Sequence, residues 1–151
     1  MIKIICVGKI KEKFFKEALE EYKKRLSKYT KLQIIEVEDV NLSNESLIKQ
    51  KEKELIEKNI NEKDYVITLE IEGKELNSIE LSNKIQELEQ TSPNITFIIG
   101  GSYGLDEKLK QKSNYKLSFS KLTFPHQLFR VIRLEQIYRA YKIKNNESYH
   151  K

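Results

Sequence analysis

Apolar residues follow two different spacings along the chain. Five short runs rich in β-branched residues are typical of β-strands, and they cover Ile2–Val7, Leu32–Val37, Tyr65–Leu69, Ile95–Ile99 and Tyr115–Phe119. Elsewhere apolar residues recur every three or four positions, which predicts amphipathic helices. We expect these over about residues 11–28, after a cap at Asn44, after a cap at Ser78, over residues 105–112 and over residues 125–144, with a loop at residues 70–75.

Strands and helices alternate throughout, which predicts an α/β fold made of a mostly parallel sheet with helices on both faces. No low-complexity segment or linker divides the sequence. Because this length suffices for one core, we expect residues 1–151 to form a single domain. Open parallel sheets bind ligands at the carboxyl ends of their strands, so the loops after Ile99 and Phe119 are the first candidates for a site.

Composition excludes several classes of protein. The chain has no apolar run of 18 residues, and its first apolar run is too short for a secretory signal. We therefore expect a cytoplasmic protein with no membrane segment. Cys6 is the only cysteine and lies in an apolar strand, which favours a buried, inert thiol. Two distant histidines and this cysteine form no ligand cluster, so we expect no metal.

The positive charge is concentrated at one end of the chain. Residues 112–151 contain nine Lys and Arg against two acids, a net charge of +7, whereas residues 1–111 carry a net charge of −2. Three of the four arginines, Arg130, Arg133 and Arg139, lie in this basic end. A neutral body with an arginine-bearing end is typical of a protein that binds a polyanion, because the guanidinium fork suits phosphate.

Three of the five glycines directly follow the fourth strand, at Gly100, Gly101 and Gly104. A glycine turn there exposes backbone N–H groups to a ligand. The order Gly-Gly-Ser-Tyr-Gly differs from the dinucleotide fingerprint G-x-G-x-x-G and follows the wrong strand for it. A Walker pattern and a nucleophile elbow with a nearby histidine are also absent. The remaining inventory suits methyl transfer from S-adenosylmethionine, because the sulfonium is already reactive and the protein mainly aligns donor and acceptor.

Several motifs together resemble the ribosomal RNA large subunit methyltransferase H family of the SPOUT class. The most specific is Leu117–Gln127, which reads LSFSKLTFPHQ. The others are Val7–Lys9, Val66–Glu70, Gly100–Leu105, Glu135–Ala140 and Tyr149–Lys151. The resemblance covers essentially the whole chain.

This resemblance implies a C-terminal trefoil knot, a homodimer whose cleft is completed by the partner chain, and S-adenosylmethionine as the methyl donor. The implied reaction is methylation of N3 of a pseudouridine in helix 69 of 23S rRNA, within the assembled ribosome. The donor-binding positions of the family correspond to Leu69, Gly100, Phe119, Ser120, Lys121, Leu122, Thr123 and Phe124.

The resemblance also implies roles for the tail and the last helix. Tyr149 would stack on the target base, and His150 would remove or orient its N3 proton. We expect Arg130, Arg133 and Arg139 to divide between rRNA phosphates and the dimer interface. His126 belongs to the same RNA-binding set, with capping of the last helix or a place near the cofactor as alternatives.

Two other functions remain open at this point. The first is a non-catalytic RNA-binding or ribosome-binding protein that kept the knot but lost the chemistry. The second is a SPOUT methyltransferase acting on transfer RNA, which the absence of an added RNA-binding domain argues against.

Overall fold

The computed structural model describes residues 1–151 as five strands and five helices. In chain order these are β1 (Ile2–Val7), α1 (Lys13–Leu26), β2 (Leu32–Val37), α2 (Glu45–Glu57), β3 (Asp64–Glu75), α3 (Ser78–Thr91), β4 (Asn94–Ile99), α4 (Glu107–Lys112), β5 (Tyr115–Ser118) and α5 (His126–Lys144). No helix is both long and apolar enough to cross a membrane.

All five strands pair in parallel, in the order β2-β1-β4-β3-β5. This confirms the predicted α/β fold with a parallel sheet. β4 pairs with β1 from Ile95 opposite Ile2, and with β3 from Asn94 opposite Asp64. The carboxyl ends of these central strands therefore lie together on one side of the sheet, which we call its carboxyl-terminal edge. The trefoil knot that the resemblance implies stays a prediction.

The two faces of the sheet carry cores of unequal size. Twenty buried residues pack the face covered by α1, α3 and α5, and eight pack the face covered by α2 and α4. Successive residues of β1 alternate between them: Ile4 and Cys6 join the larger core, Ile5 and Val7 the smaller. Burial raises the pKa of the Cys6 thiol to about 11. The thiol is therefore buried and protonated at neutral pH, as its place in an apolar strand predicts.

The predicted loop at residues 70–75 is wrong, because β3 continues to Glu75. After a register shift beyond Leu69, Lys74 pairs with Leu117 and Glu75 with Ser118 of β5. Gly73 permits this approach, since a Cβ there would lie 2.6 Å from the backbone carbonyl carbon of Leu117. The extension lies largely at the surface and is rich in charged residues, so it gives no apolar run from which a strand could be predicted.

One of the two predicted helix caps is also corrected. Asn44 caps α2 as predicted, accepting a hydrogen bond from the Leu47 N–H at 3.2 Å. The cap of α3 is Asn77 rather than Ser78: Asn77 and Glu80 form a reciprocal capping box with both hydrogen bonds at 2.8 Å. The Ser78 hydroxyl instead donates to Gln136 of α5 at 2.7 Å.

A buried ion pair lies at the amino-terminal edge of the sheet, the side on which the strands begin. Lys3 of β1 donates to the Asp64 carboxylate of β3 at 2.7 Å, and both side chains are almost fully buried. Asp64 also accepts from Asn94 at 2.7 Å, from Thr96 at 3.0 Å and from the Asn61 N–H at 3.0 Å. Burial acts to raise the pKa of Asp64, but these hydrogen bonds outweigh it and hold that pKa below its ordinary value.

Candidate functional site

A cleft of about 380 Å³ lies at the carboxyl ends of β3, β4 and β5. The loops that follow these strands form its walls, as expected for an open parallel sheet. Seven of the eight predicted donor-binding residues line it: Leu69, Gly100, Phe119, Ser120, Leu122, Thr123 and Phe124. Lys121 is exposed and does not line the cleft.

The glycine loop folds back on itself at the floor of this cleft. Gly101 and Gly104 pair across an antiparallel bridge, and the Gly104 N–H donates to the Gly101 carbonyl at 3.0 Å. A Cβ at Gly100 would lie 2.8 Å from the backbone carbonyl carbon of Gly104 and 3.1 Å from Leu105 Cδ2. Only glycine therefore fits at position 100 without displacing the turn, which leaves bare backbone facing the cleft.

Three aromatic rings form the wall between this cleft and a neighbouring pocket. Phe124 and Phe129 lie 4.7 Å apart between ring centroids, and Phe119 meets Phe129 edge-on at 5.9 Å. The loop that carries two of them is held by Ser120, whose hydroxyl accepts from the Leu122 N–H at 3.0 Å. The wall offers flat apolar surface against which a planar heterocycle can pack.

Arg133 of α5 also lines the cleft. Its guanidinium lies over the Phe129 ring, 4.0 Å from the centroid. The Nε and Nη1 atoms are shielded from solvent and have no hydrogen-bond partner, and the side chain forms no ion pair. Burial, together with the neighbouring charge of Arg130, lowers the pKa of Arg133 to about 10. The side chain is therefore a cation at neutral pH with no anion beside it.

Arg130 has a structural place, and we do not retain it among the RNA-binding candidates. It is only 5% exposed. Its guanidinium donates to Glu36 at 2.7 Å and to the carbonyl oxygens of Val7 and Gly8 at 3.3 and 3.2 Å. These contacts fasten α5 to the ends of β1 and β2, so the side chain is not presented to a phosphate.

A second pocket of about 570 Å³ lies on the other side of the aromatic wall, between the start of α3, β5 and α5. Phe119, Ser120, Phe124 and Phe129 border both spaces. His150 of the C-terminal tail reaches this second pocket but not the first. The two pockets and the tail therefore form one continuous region around the loop 118–124.

The tail is docked on α5 rather than free. The Tyr149 ring meets Tyr138 edge-on at 5.0 Å, and the Arg139 guanidinium lies 4.7 Å from its centroid. The Tyr149 hydroxyl donates to Glu135 at 2.9 Å. Burial raises the pKa of Tyr149, and the Glu135 carboxylate raises it further, so this hydroxyl stays protonated. In this position Tyr149 lines neither pocket, and its stacking on the target base stays a prediction.

His150 is oriented by Arg139, whose Nη1 lies 3.2 Å from the imidazole Nδ1. Because arginine can only donate, Nδ1 must accept, and a neutral imidazole then carries its proton on Nε2. The ring therefore offers an N–H to its surroundings rather than a lone pair. Arg139 is held in turn by Glu135, one helical turn earlier.

His126 begins α5 and lines the first cleft while remaining exposed. No cap hydrogen bond from a side chain is present at this helix start. Its neighbour Gln127 accepts from the N–H groups of Lys11 and Glu12 at 3.0 and 3.2 Å, which ties the start of α5 to the start of α1.

Two features of the site were missed in the sequence. Glu135 joins Tyr149 to Arg139, and its spacing of four residues from Arg139 was the available signal. Phe129 shapes both pockets, but an aromatic residue on an amphipathic helix is normally assigned to the core. No cluster of three His, Cys, Asp or Glu residues suited to a metal is present.

Comparison with known proteins agrees with this architecture. Residues 1–150 match the family described as "Predicted SPOUT methyltransferase". The chain is 56% identical to a ribosomal RNA large subunit methyltransferase H of Clostridium tetani and 54% identical to one of Clostridium botulinum, with 99% of each chain covered in both cases.

A solved structure supports the fold alone. The chain is similar to a probable methylase family protein of Haemophilus influenzae, with a TM-score of 0.59 and 14% sequence identity. The similarity covers 99% of this chain and 70% of that one. The full-length family match and the two relatives show that the chain belongs to the SPOUT methyltransferases, in the ribosomal RNA large subunit methyltransferase H family.

Proposed function

We propose that this protein transfers a methyl group from S-adenosylmethionine to N3 of a pseudouridine in helix 69 of 23S rRNA, within the assembled ribosome. The observation that carries the proposal is the convergence of Leu69, Gly100 and the loop 119–124 on one cleft, with the tail beside it. A substrate in the ribosome implies that the enzyme acts in the cytoplasm.

The cleft suits an adenosyl donor. Bare backbone at Gly100 allows the purine and ribose to approach closely, and Phe119 and Phe124 supply apolar surface. Ser120, Leu122 and Thr123 contribute backbone groups from the same loop. When bound, the donor supplies an electrophilic methyl group on a positive sulfur, so the protein need only hold it in line with the acceptor.

The acceptor would enter the second pocket, next to His150. N3 of pseudouridine lies between two carbonyl groups, and its proton must leave as the methyl group arrives. With Arg139 donating to Nδ1, His150 offers Nε2–H to one of those carbonyls, which orients the ring. The N3 proton leaves to water. Tyr149 would have to leave Glu135 before it could stack on the base.

A homodimer would complete this region. Phe14 at the start of α1 is 62% exposed and Leu128 at the start of α5 is 38% exposed, although both are apolar. The two helix starts are joined through Gln127, from which we infer that these side chains contribute to one surface. A second copy seated on it would bury both and bring additional basic residues towards the RNA.

The direct test is transfer of a labelled methyl group to three substrates: assembled ribosomes, free 23S rRNA and transfer RNA. We expect labelled ribosomes and no label in either free RNA, with the modified base mapped to helix 69. Labelling of transfer RNA alone would favour the alternative substrate. No labelling of any RNA, despite donor binding, would favour the non-catalytic alternative.

A variant of His150 tests the role of this side chain in methyl transfer. His150→Ala should slow methylation of ribosomes by about tenfold or more, in the range typical of a lost acid–base or orienting group, while leaving donor affinity unchanged. Ser148→Ala removes an exposed hydroxyl two residues before His150, outside both pockets, and should transfer methyl groups at the wild-type rate. A wild-type rate for His150→Ala would remove the histidine from the mechanism.

A further inference from the structure

Arg133 differs from the two buried cations of the chain, Lys3 and Arg130, because no carboxylate balances its charge. Lys3 is paired with Asp64, and Arg130 with Glu36. Arg139 also leaves its Nε unpaired, but it holds Glu135. Arg133 has no carboxylate, and two of its three guanidinium nitrogens are shielded from solvent without a partner.

This arrangement is unfavourable in the ligand-free protein. A cation that is partly shielded and has no counter-charge loses part of its hydration and recovers little in exchange. The nearby charge of Arg130 repels it, and the face of Phe129 offers only a weak compensating attraction. A nonpolar side chain of similar length would pack there at lower cost, so the guanidinium points to an anion that arrives from outside the chain.

The position of Arg133 indicates which space that anion occupies. Its side chain lines the cleft that also contains Gly100, Phe119 and Phe124. The other strong cation of the cleft, Lys110, is engaged by Glu70 at 3.7 Å and by Glu107 at 3.2 Å. Arg133 is therefore the one strong cation lining this cleft that has no carboxylate beside it.

We propose that Arg133 is the carboxylate-binding residue of the cleft and pairs with the α-carboxylate at the amino-acid end of the donor. The inference rests on the proposed function and deepens it. The planar guanidinium suits a carboxylate better than an ammonium group does. Anchoring the amino-acid end at Arg133 and the adenosyl end near Gly100 fixes the sulfur between them, so Arg133 positions the methyl group and sets selectivity among adenosyl compounds.

A pair of ligands that differ only in the carboxylate isolates this contact. S-adenosylmethionine and decarboxylated S-adenosylmethionine are titrated by calorimetry into the wild-type protein and into Arg133→Leu. We expect the wild type to prefer the carboxylate-bearing ligand by at least about tenfold, the range of a charge-assisted hydrogen bond. Arg133→Leu should lose that preference while its affinity for the decarboxylated ligand stays within about threefold of the wild type.

Two further variants test whether the preference for the carboxylate depends on the planar guanidinium of Arg133. Arg133→Lys keeps the charge but not the planar fork, so it should retain only part of the preference. Arg25→Leu removes an exposed arginine of α1, outside the cleft, and should retain all of it. The wild-type comparison alone keeps the inference testable if Arg133→Leu fails to fold.

The outcomes separate this inference from the proposed function. If the wild type binds neither ligand, the donor assignment itself fails. If the wild type binds both ligands equally well, or Arg133→Leu keeps the preference, the inference is overturned while the donor assignment survives. A third outcome also overturns it: unchanged discrimination with dissociation of the dimer in Arg133→Leu would mean that the carboxylate comes from a second copy of the chain.

Discussion

The side of the sheet on which the strands begin and the side on which they end differ in how their polar groups are paired. At the amino-terminal edge, Lys3 and Asp64 are buried together, and four further groups satisfy their hydrogen bonds. At the carboxyl-terminal edge, Gly100 leaves bare backbone, Arg133 has no anion and apolar rings line an open cleft. Polar groups are balanced where the sheet only has to be stable, and are left incomplete where a ligand is to bind.

The largest effect is expected at the amino-terminal edge. Asp64→Ala leaves the Lys3 ammonium buried without its carboxylate, and it should lower the free energy of unfolding by about 3–5 kcal/mol. Urea denaturation measures this change. The double variant Lys3→Met/Asp64→Leu is the matched control, and replacing both charges should cost much less than removing one. Equal losses in the two variants would show that the charge itself is not what matters.

A smaller loss of stability, together with weaker donor binding, is expected at the carboxyl-terminal edge. Gly100→Ala forces a methyl group against the Gly104 carbonyl and should cost about 1–3 kcal/mol by overpacking. Because the turn must shift, donor affinity should fall at least about tenfold. Asn83→Ala, at an exposed position of α3 outside both pockets, is the control, with stability and donor affinity close to the wild type. Normal donor binding by Gly100→Ala would argue that the cleft lies elsewhere.

The smallest expected effect is a loss of stability at low pH. The pKa of Asp64 is lowered in the folded protein, so its contribution to stability is present above the ordinary aspartate pKa of about 3.9 and is lost as the pH falls through the lower, folded value. We expect the stability contributed by this group to fall as the pH is lowered below about 4. Lys3→Met/Asp64→Leu should lack this component when stability is measured against pH. If the stability of the wild type and of the double variant depended on pH in the same way, Asp64 would not be the source of this loss.

Local patterns predicted most of the fold, and distant contacts account for what they missed. The five strands were predictable because short β-branched runs have few other uses in a chain of this polarity. The continuation of β3 was not, because its charged residues give no apolar signal and its pairing depends on Gly73 meeting Leu117.

The candidate site divides along the same line. Gly100 and the loop 119–124 were found through motifs, which are contiguous in sequence. The structural place of Arg130 depends on Glu36, 94 residues away, and nothing near Arg130 in the sequence indicates that partner. The same holds for the missing partner of Arg133, which only a three-dimensional structure can reveal.

The central claim is that the carboxyl-terminal edge is incomplete because it receives an adenosyl donor. Calorimetric titration of S-adenosylmethionine into the wild type, Gly100→Ala and Lys3→Met/Asp64→Leu tests it most directly. We predict saturable binding, at most one donor per chain, that is weakened at least about tenfold in Gly100→Ala and kept in the double variant Lys3→Met/Asp64→Leu. Absence of binding to the wild type, or equal loss in both variants, would contradict the account.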